Sequence, residues 1–258
     1  MKYIAIIPAR YASTRFPGKP LAMIGGKPMI QRTYEAAAAA LGAENTAVAT
    51  DDTRIFEAVE AFGGRAVMTS AEHRSGTDRC REAYERLGSA AEIIINVQGD
   101  EPFLQPEQLR QLISCFDEAG TDIATLARSF DPTESYEKLE DGNTPKVVCD
   151  AKGFALYFSR SVIPYVRGAE REERPACFPY LTHVGLYAFR AEVLKAVSSL
   201  PQCELELAES LEQLRWLHAG YKIRVAVTEL PNIGIDTPAD LEAAERMLSQ
   251  HKEARNDA

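Results

Sequence analysis

The sequence predicts an α/β protein: a mostly parallel, doubly wound sheet interrupted by a smaller, largely antiparallel β lobe. Three observations carry that expectation. Apolar runs alternate with helical patterns up to residue 130 and again from residue 204. The run "EIIINV" is continuously apolar, as a strand buried on both faces of a parallel sheet must be. Between the two α/β stretches, "VVCDAKGFALYFS" reads as two strands joined by a tight turn. Residues 1–130 and 204–258 are therefore expected to form the main domain and residues 131–203 an inserted lobe. A length of 258 residues suits that division and can bury a core without disulfides or metals.

Each element follows from local pattern. Residues 3–9 form the first strand, and 27–42 an alanine-rich helix that stops at Gly42. Residues 46–52 are a strand, 52–63 a helix with apolar spacing at Ile55, Val59 and Phe62, and 65–70 a strand. A helix over 77–88, a strand over 92–102, an amphipathic helix over 106–120 and a strand over 122–130 continue the rhythm. The hairpin occupies 145–166. Residues 167–181, charged and proline-containing, read as an exposed, mobile loop, and 182–190 as a strand. A helix over 206–221 is built on Leu207, Leu211, Leu214 and Leu217, and a strand follows from Lys222. The last helix covers 238–251; Thr237 and Asp240 fit a capping box with Pro238 at the first helical position.

Composition narrows the function. A net charge of -9 argues against a general nucleic-acid binder but permits a local cationic pocket. "YIAIIPA" is far shorter than the ~20 apolar residues of a membrane span, and it lacks the cleavage pattern of a signal peptide. The five cysteines, Cys80, Cys115, Cys149, Cys177 and Cys203, are scattered without metal-ligand spacing. They are expected to be reduced thiols of a cytosolic protein, each a small buried hydrophobe.

The exception to the acidic balance is "IPARYASTRFPGKP", residues 7–20, with Arg10, Arg15 and Lys19 and no acid before Glu35. A loop leaving the carboxyl end of a parallel strand, with free N–H groups near a helix start, suits phosphates, and three cations suit a polyphosphate. It is neither of two familiar phosphate loops. Gly18-Lys19 is followed by Pro20, and Ser13 stands where a Walker A loop needs its first glycine; no G-x-G-x-x-G follows the strand. Asp100 in "NVQGDEP" lies just past a buried strand, and Asp236 in "NIGIDTPADL" just before the last helix, where Thr237 is the better cap. Two such carboxylates could share a hard cation with phosphate oxygens. "EHRSGTDR", with Arg74, Ser75 and Gly76, reads equally as a donor-rich turn for a base edge and as a helix cap. In the lobe, Arg160 with His183 and Tyr187, which share one strand face, suit an anionic, hydroxyl-rich ligand; Glu212 and Gln213 reach the same cleft or face water.

Together, "IPARYASTRFPGKPL", "EHRSGTDR", "NVQGDEP", "YFSRSVIPY", "HVGLYAFR" and "IDTPADLE" resemble the sugar nucleotidyltransferases that activate acidic sugars, and among them the cytidylyltransferases of 3-deoxy-manno-octulosonate (KDO). The resemblance runs over nearly the whole chain. It implies a nucleotide-diphospho-sugar transferase fold and the reaction of CTP with KDO to CMP-KDO and pyrophosphate, with Mg²⁺, for lipopolysaccharide synthesis. It implies that Arg10, Ser13, Arg15 and Lys19 hold the triphosphate, with Pro8, Ala9 and Gln98 beside the nucleotide. Arg74, Ser75 and Gly76 would meet cytosine, Asp100 and Asp236 would bind Mg²⁺, and Arg160, His183, Tyr187, Glu212 and Gln213 would receive the sugar acid. Arg10, Lys19, Asp100 and Asp236 would carry the catalysis. It further implies a cytoplasmic homodimer, with no nucleic-acid or membrane partner. Rival readings are a cytidylyltransferase for another sugar acid such as a sialic acid, a glycosyltransferase of similar topology, and a non-catalytic nucleotide sensor.

Overall fold

The computed structural model describes residues 1–12, 16–231, 234–235 and 237–256, with side chains through residue 248. The chain divides into two compact units, residues 1–109 with 231–258, and residues 110–230. The segment 131–203 lies wholly inside the second.

The first unit is a parallel α/β layer. Strand β1 (Tyr3–Ala9) leads into a short antiparallel pair, β2 (Met23–Ile24) with β3 (Lys27–Pro28), and then helix α1 (Met29–Leu41). Strand β4 (Thr46–Thr50), helix α2 (Thr53–Ala61), strand β5 (Ala66–Met68), helix α3 (Gly76–Arg86) and strand β6 (Ile93–Asn96) follow, and helix α4 (Pro106–Ser114) begins in this unit and continues into residues of the second. β1 pairs in parallel with β6 on one side and β4 on the other, and β4 pairs in parallel with β5. Ile4, Ala5, Ile6 and Ile7, with Ile93, Ile94 and Ile95, are buried, which is why these strands are apolar without alternation.

The strand expected over 92–102 leaves the ladder after Asn96. The chain must turn there to pass the end of β1, and a Cβ on Gly99 would stand 2.9 Å from the Pro8 carbonyl oxygen. Two described positions of the loop after β1, Tyr11 and Gly18, are tied together by local packing. Gly18, at φ +70°, donates its N–H to the Tyr11 carbonyl at 2.9 Å. The Tyr11 ring lies against Gly18 on one side and carries the Arg54 guanidinium 3.3 Å from its centroid. The C-terminal helix, Pro238–Asn256, starts from the expected capping box: Thr237 N–H donates to Asp240 Oδ2 at 2.8 Å and Asp240 N–H to Thr237 Oγ1 at 3.2 Å. Its Ala244, Leu241 and Leu248 pack with Ile24, Met29 and Phe103.

The second unit is mixed. It contains β7 (Ile123–Ser129), α5 (Tyr136–Glu140), β8 (Lys146–Cys149), β9 (Ala155–Ser159), α6 (Arg174–Cys177), β10 (Leu181–Arg190), α7 (Ala191–Val197), α8 (Glu204–Glu209), α9 (Gln213–His218) and β11 (Ile223–Val227). β7 pairs antiparallel with β10 and parallel with β11, and β8 pairs antiparallel with both β9 and β10. The hairpin predicted around "DAKG" is the β8–β9 pair.

Three expectations change. The helix over 206–221 is two short helices, because Ser210 sits at φ +51° between them; Leu207 consequently points to solvent while Leu211 and Leu214 are buried. The segment 167–181 carries helical turns over Arg171–Glu173 and Arg174–Cys177 in place of an open loop, with Pro175 buried and Tyr180 packed on Tyr136 and Leu139. All five cysteines are free thiols, but Cys177 is exposed and Cys149 and Cys203 are only part-buried.

Candidate functional site

In the first unit, a cavity of about 230 Å³ is lined by Pro8, Ala9, Arg10, Lys19, Pro20, His73, Arg74, Ser75, Gly76, Arg79, Gln98, Gly99 and Asp100. It opens at the carboxyl ends of β1 and β6, the edge where open parallel sheets bind ligands. Every nucleotide-side residue expected from the sequence that the structure describes stands on this wall. Ser13, Arg15 and Asp236 lie outside the described residues.

Charge is unevenly distributed around the cavity. Arg10, Lys19, Arg74 and Arg79 face it against the single carboxylate of Asp100. Arg10 and Arg74 are exposed. Lys19, on the helical turn Lys19–Leu21, donates from Nζ to Asp100 Oδ2 at 2.6 Å. Arg79 is buried and fixed: Nη1 donates to Thr69 Oγ1 at 2.6 Å and Nη2 to Asp51 Oδ2 at 3.2 Å. Ser75 serves both readings of its motif, since it lines the cavity and its Oγ accepts from Asp78 N–H at 3.1 Å as the cap of α3. His73 contacts Glu82 through Nε2. Burial alone would raise the Glu82 carboxyl, but the Ser70 N–H, His73 and Arg86 outweigh it and hold the group down at about 2.

His73, Pro20, Gly99 and Arg79 were not singled out in sequence. Arg79 carried a usable signal: it lies one helical turn beyond Ser75 and so projects on the same face.

The donor set suits a hard cation. Asp100 offers a carboxylate on the cavity wall, and Mg²⁺ takes one or two carboxylates and completes its shell with phosphate oxygens and water. Among the described residues no group of three or more His, Cys, Asp or Glu side chains is placed to hold a metal ion, and such an ion does not demand one.

The expected sugar-side residues belong to the second unit. His183 and Tyr187 share one side of β10 despite a bulge between Val184 and Tyr187, with ring centroids 5.4 Å apart. Phe158 meets the His183 ring edge-on at 4.9 Å, and Trp216 meets Tyr187 at 5.0 Å. His183 Nε2 bonds Thr125 Oγ1 at 2.9 Å. Burial pushes the imidazole down to about 3, so at neutral pH it offers a hydrogen bond and no charge; burial also pushes the Tyr187 phenol well above its ordinary value. Arg160 is the cation of this group. Its Nε donates to Glu209 O at 2.6 Å, Nη1 to Gly142 O at 2.6 Å and Nη2 to Ser210 O at 3.3 Å. Gln213 is buried, and its amide nitrogen has no hydrogen-bond partner among the described residues. Glu212 bonds Arg215 at 3.4 Å.

Comparison with known proteins shows the family of the chain. The cytidylyltransferase family model matches residues 4–223. A 3-deoxy-manno-octulosonate cytidylyltransferase of Phocaeicola vulgatus is 56% identical over 252 residues, 98% of this chain and 99% of the relative. One of Thermodesulfovibrio yellowstonii is 45% identical over 97% of this chain and 100% of its own length. Among solved structures, a CMP:2-keto-3-deoxy-manno-octonic acid synthetase complexed with CTP superposes with a TM-score of 0.88 at 44% identity, covering 97% of this chain and 100% of that one. A Leptospira borgpetersenii cytidylyltransferase, at 17% identity and a TM-score of 0.62, shares the fold.

Proposed function

Because this chain belongs to the 3-deoxy-manno-octulosonate cytidylyltransferase family, and so activates that sugar acid with CTP, we propose that the first unit's cavity holds the CTP. The observation that carries this is its charge: Arg10, Lys19, Arg74 and Arg79 line it with one carboxylate, Asp100, and with Arg79 committed to Asp51 the exposed Arg10 and Arg74 remain for a ligand, in a protein of net charge -9. Arg10 and Lys19, with Ser13 and Arg15 of the same loop, hold the triphosphate. Arg74, Ser75 and Gly76 meet the cytosine, with Pro8, Ala9 and Gln98 at its side.

The anomeric hydroxyl of the sugar acid attacks the α-phosphorus in line and loses its proton to solvent, the bond from the α-phosphorus to the β-phosphate oxygen breaks, and pyrophosphate leaves. Both reactants are anions. Arg10 and Lys19 screen their repulsion and stabilise the charge that moves onto the leaving group. Lys19 exchanges the Asp100 carboxylate for phosphate as the nucleotide enters. Mg²⁺, held by Asp100 and Asp236 with phosphate oxygens, would supply further neutralisation and Lewis-acid activation when bound. In the second unit, Arg160 takes the sugar carboxylate, while His183, Tyr187, Glu212 and Gln213 meet hydroxyls. Family membership also supports a cytoplasmic homodimer, testable by sedimentation velocity; among the described residues no helix is long and apolar enough to cross a membrane.

The test is pyrophosphate release with each of the four nucleoside triphosphates, Mg²⁺, and either KDO or a sialic acid. Release from CTP with KDO alone is expected. Release only with another sugar acid would sink the substrate assignment.

A further inference from the structure

The second unit contains a charged group that the reaction above does not use. Lys146, on β8, is completely buried, yet no carboxylate among the described residues lies within ion-pair distance of it. Its Nζ donates to Thr144 O at 2.8 Å and Asp141 O at 3.1 Å. Burial pushes the ammonium below its ordinary pKa. Asp141, Glu209 and Glu140 act on it only from beyond ion-pair distance, and a buried cation without a direct counter-ion is costly, so its position calls for a physical reason.

The reason lies in what the two carbonyls belong to. They bracket the turn of residues 141–144, and within that turn the Gly142 carbonyl accepts from Arg160 Nη1 at 2.6 Å. Lys146 therefore pins the turn that pins Arg160. On the opposite side, the Glu209 carboxylate accepts from Arg160 N–H at 2.9 Å and Ser159 Oγ at 2.7 Å, while the Glu209 and Ser210 carbonyls take the guanidinium's Nε and Nη2. A guanidinium carries five N–H donors. Three go to carbonyls, which leaves one on each Nη without a partner among the described residues. Carbonyls orient the group without neutralising it, and the guanidinium forms no ion pair among the described residues, so its charge remains available to an incoming carboxylate.

We propose that Lys146 is a positioning residue for sugar-acid recognition, which fixes the 141–144 turn so that Arg160 presents its two remaining Nη–H groups to the substrate carboxylate. This inference rests on the assignment of Arg160 to the sugar acid, and a double-mutant cycle separates the two. Lys146→Met is expected to raise KM for KDO about ten-fold and to leave KM for CTP within about two-fold. Lys146→Gln, which keeps a donor for one carbonyl, should lie between the wild type and Lys146→Met. In an Arg160→Met background, adding Lys146→Met should cost nothing further. An additive loss there, an equal rise in both KM values, or failure of both Lys146 variants to fold would overturn the inference, since each assigns Lys146 to the core. If Arg160→Met itself left KM for KDO unchanged, the assignment of Arg160 would fall instead.

Discussion

The candidate sites of the two units hold their key cations in different ways. Around the first unit's cavity, Arg10 and Arg74 stand exposed and Lys19 is paired with a carboxylate. In the second unit, Lys146 and Arg160 are bound by backbone carbonyls. A carboxylate partner can be exchanged for a phosphate, whereas carbonyls set direction without cancelling charge. The first arrangement suits a polyanion with many oxygens and several acceptable poses. The second suits one carboxylate in one pose.

The largest test of that contrast is Lys19→Ala. If its pairing is exchangeable, kcat/KM should fall about 100-fold while unfolding free energy changes by less than about 1 kcal/mol. Steady-state kinetics beside urea melts would break the comparison if stability fell as steeply as activity. Gly99→Ala probes how rigid the first cavity's wall is. A methyl group 2.9 Å from the Pro8 carbonyl should cost about 1–3 kcal/mol and weaken CTP binding. A melt indistinguishable from wild type would show that the wall gives way freely.

Acid should reach the second unit first. His183 in the folded protein has its pKa lowered to about 3, against 6.5 unfolded, so the unfolded chain binds the extra proton. Stability should fall as pH drops from about 6.5 toward 3, by at most about 1.4 kcal/mol per unit. Urea midpoints of wild type and His183→Gln should diverge in that window, and parallel curves would count against the neutral imidazole. The smallest expected effect, in the first unit, has the opposite cause. Glu82 is held at about 2 against an ordinary 4.5, so its ionised form stabilises the fold above pH 4.5 and that contribution is lost as pH falls through about 2. Glu82→Gln should therefore weaken the protein at pH 7 and converge with wild type only below about pH 2.

What could be read in advance followed from range. Ile4 to Ile7 and Ile93 to Ile95 declare buried parallel strands by themselves, and Thr237 with Asp240 declares a cap, because each signal sits within a few residues. The cationic loop, "HRSG" and Asp100 are likewise visible as chemistry, and the fold brings Arg10, Lys19, His73 to Gly76 and Asp100 to one cavity. The break at Ser210 was not visible. Leucine spacing continues across it, and its left-handed backbone is set by tertiary contacts that spacing does not encode. The spacing from Ser75 puts Arg79 on the right helix face, but what fixes it, like the role of Lys146, is set by residues distant in the sequence. Thr69 and Asp51 stand 10 and 28 positions from Arg79, and the importance of Lys146 depends on Arg160 across a β-ladder.

The Tyr11–Gly18 contact carries one more consequence. A hydrogen bond joins the two ends of the segment between them, and the Tyr11 ring, held under Arg54, backs that junction. The entropy of bringing those ends together is spent when the protein folds. If a triphosphate binds beside this junction as proposed, Tyr11 and Gly18 are already joined, so little of its binding energy goes into bringing those two positions together.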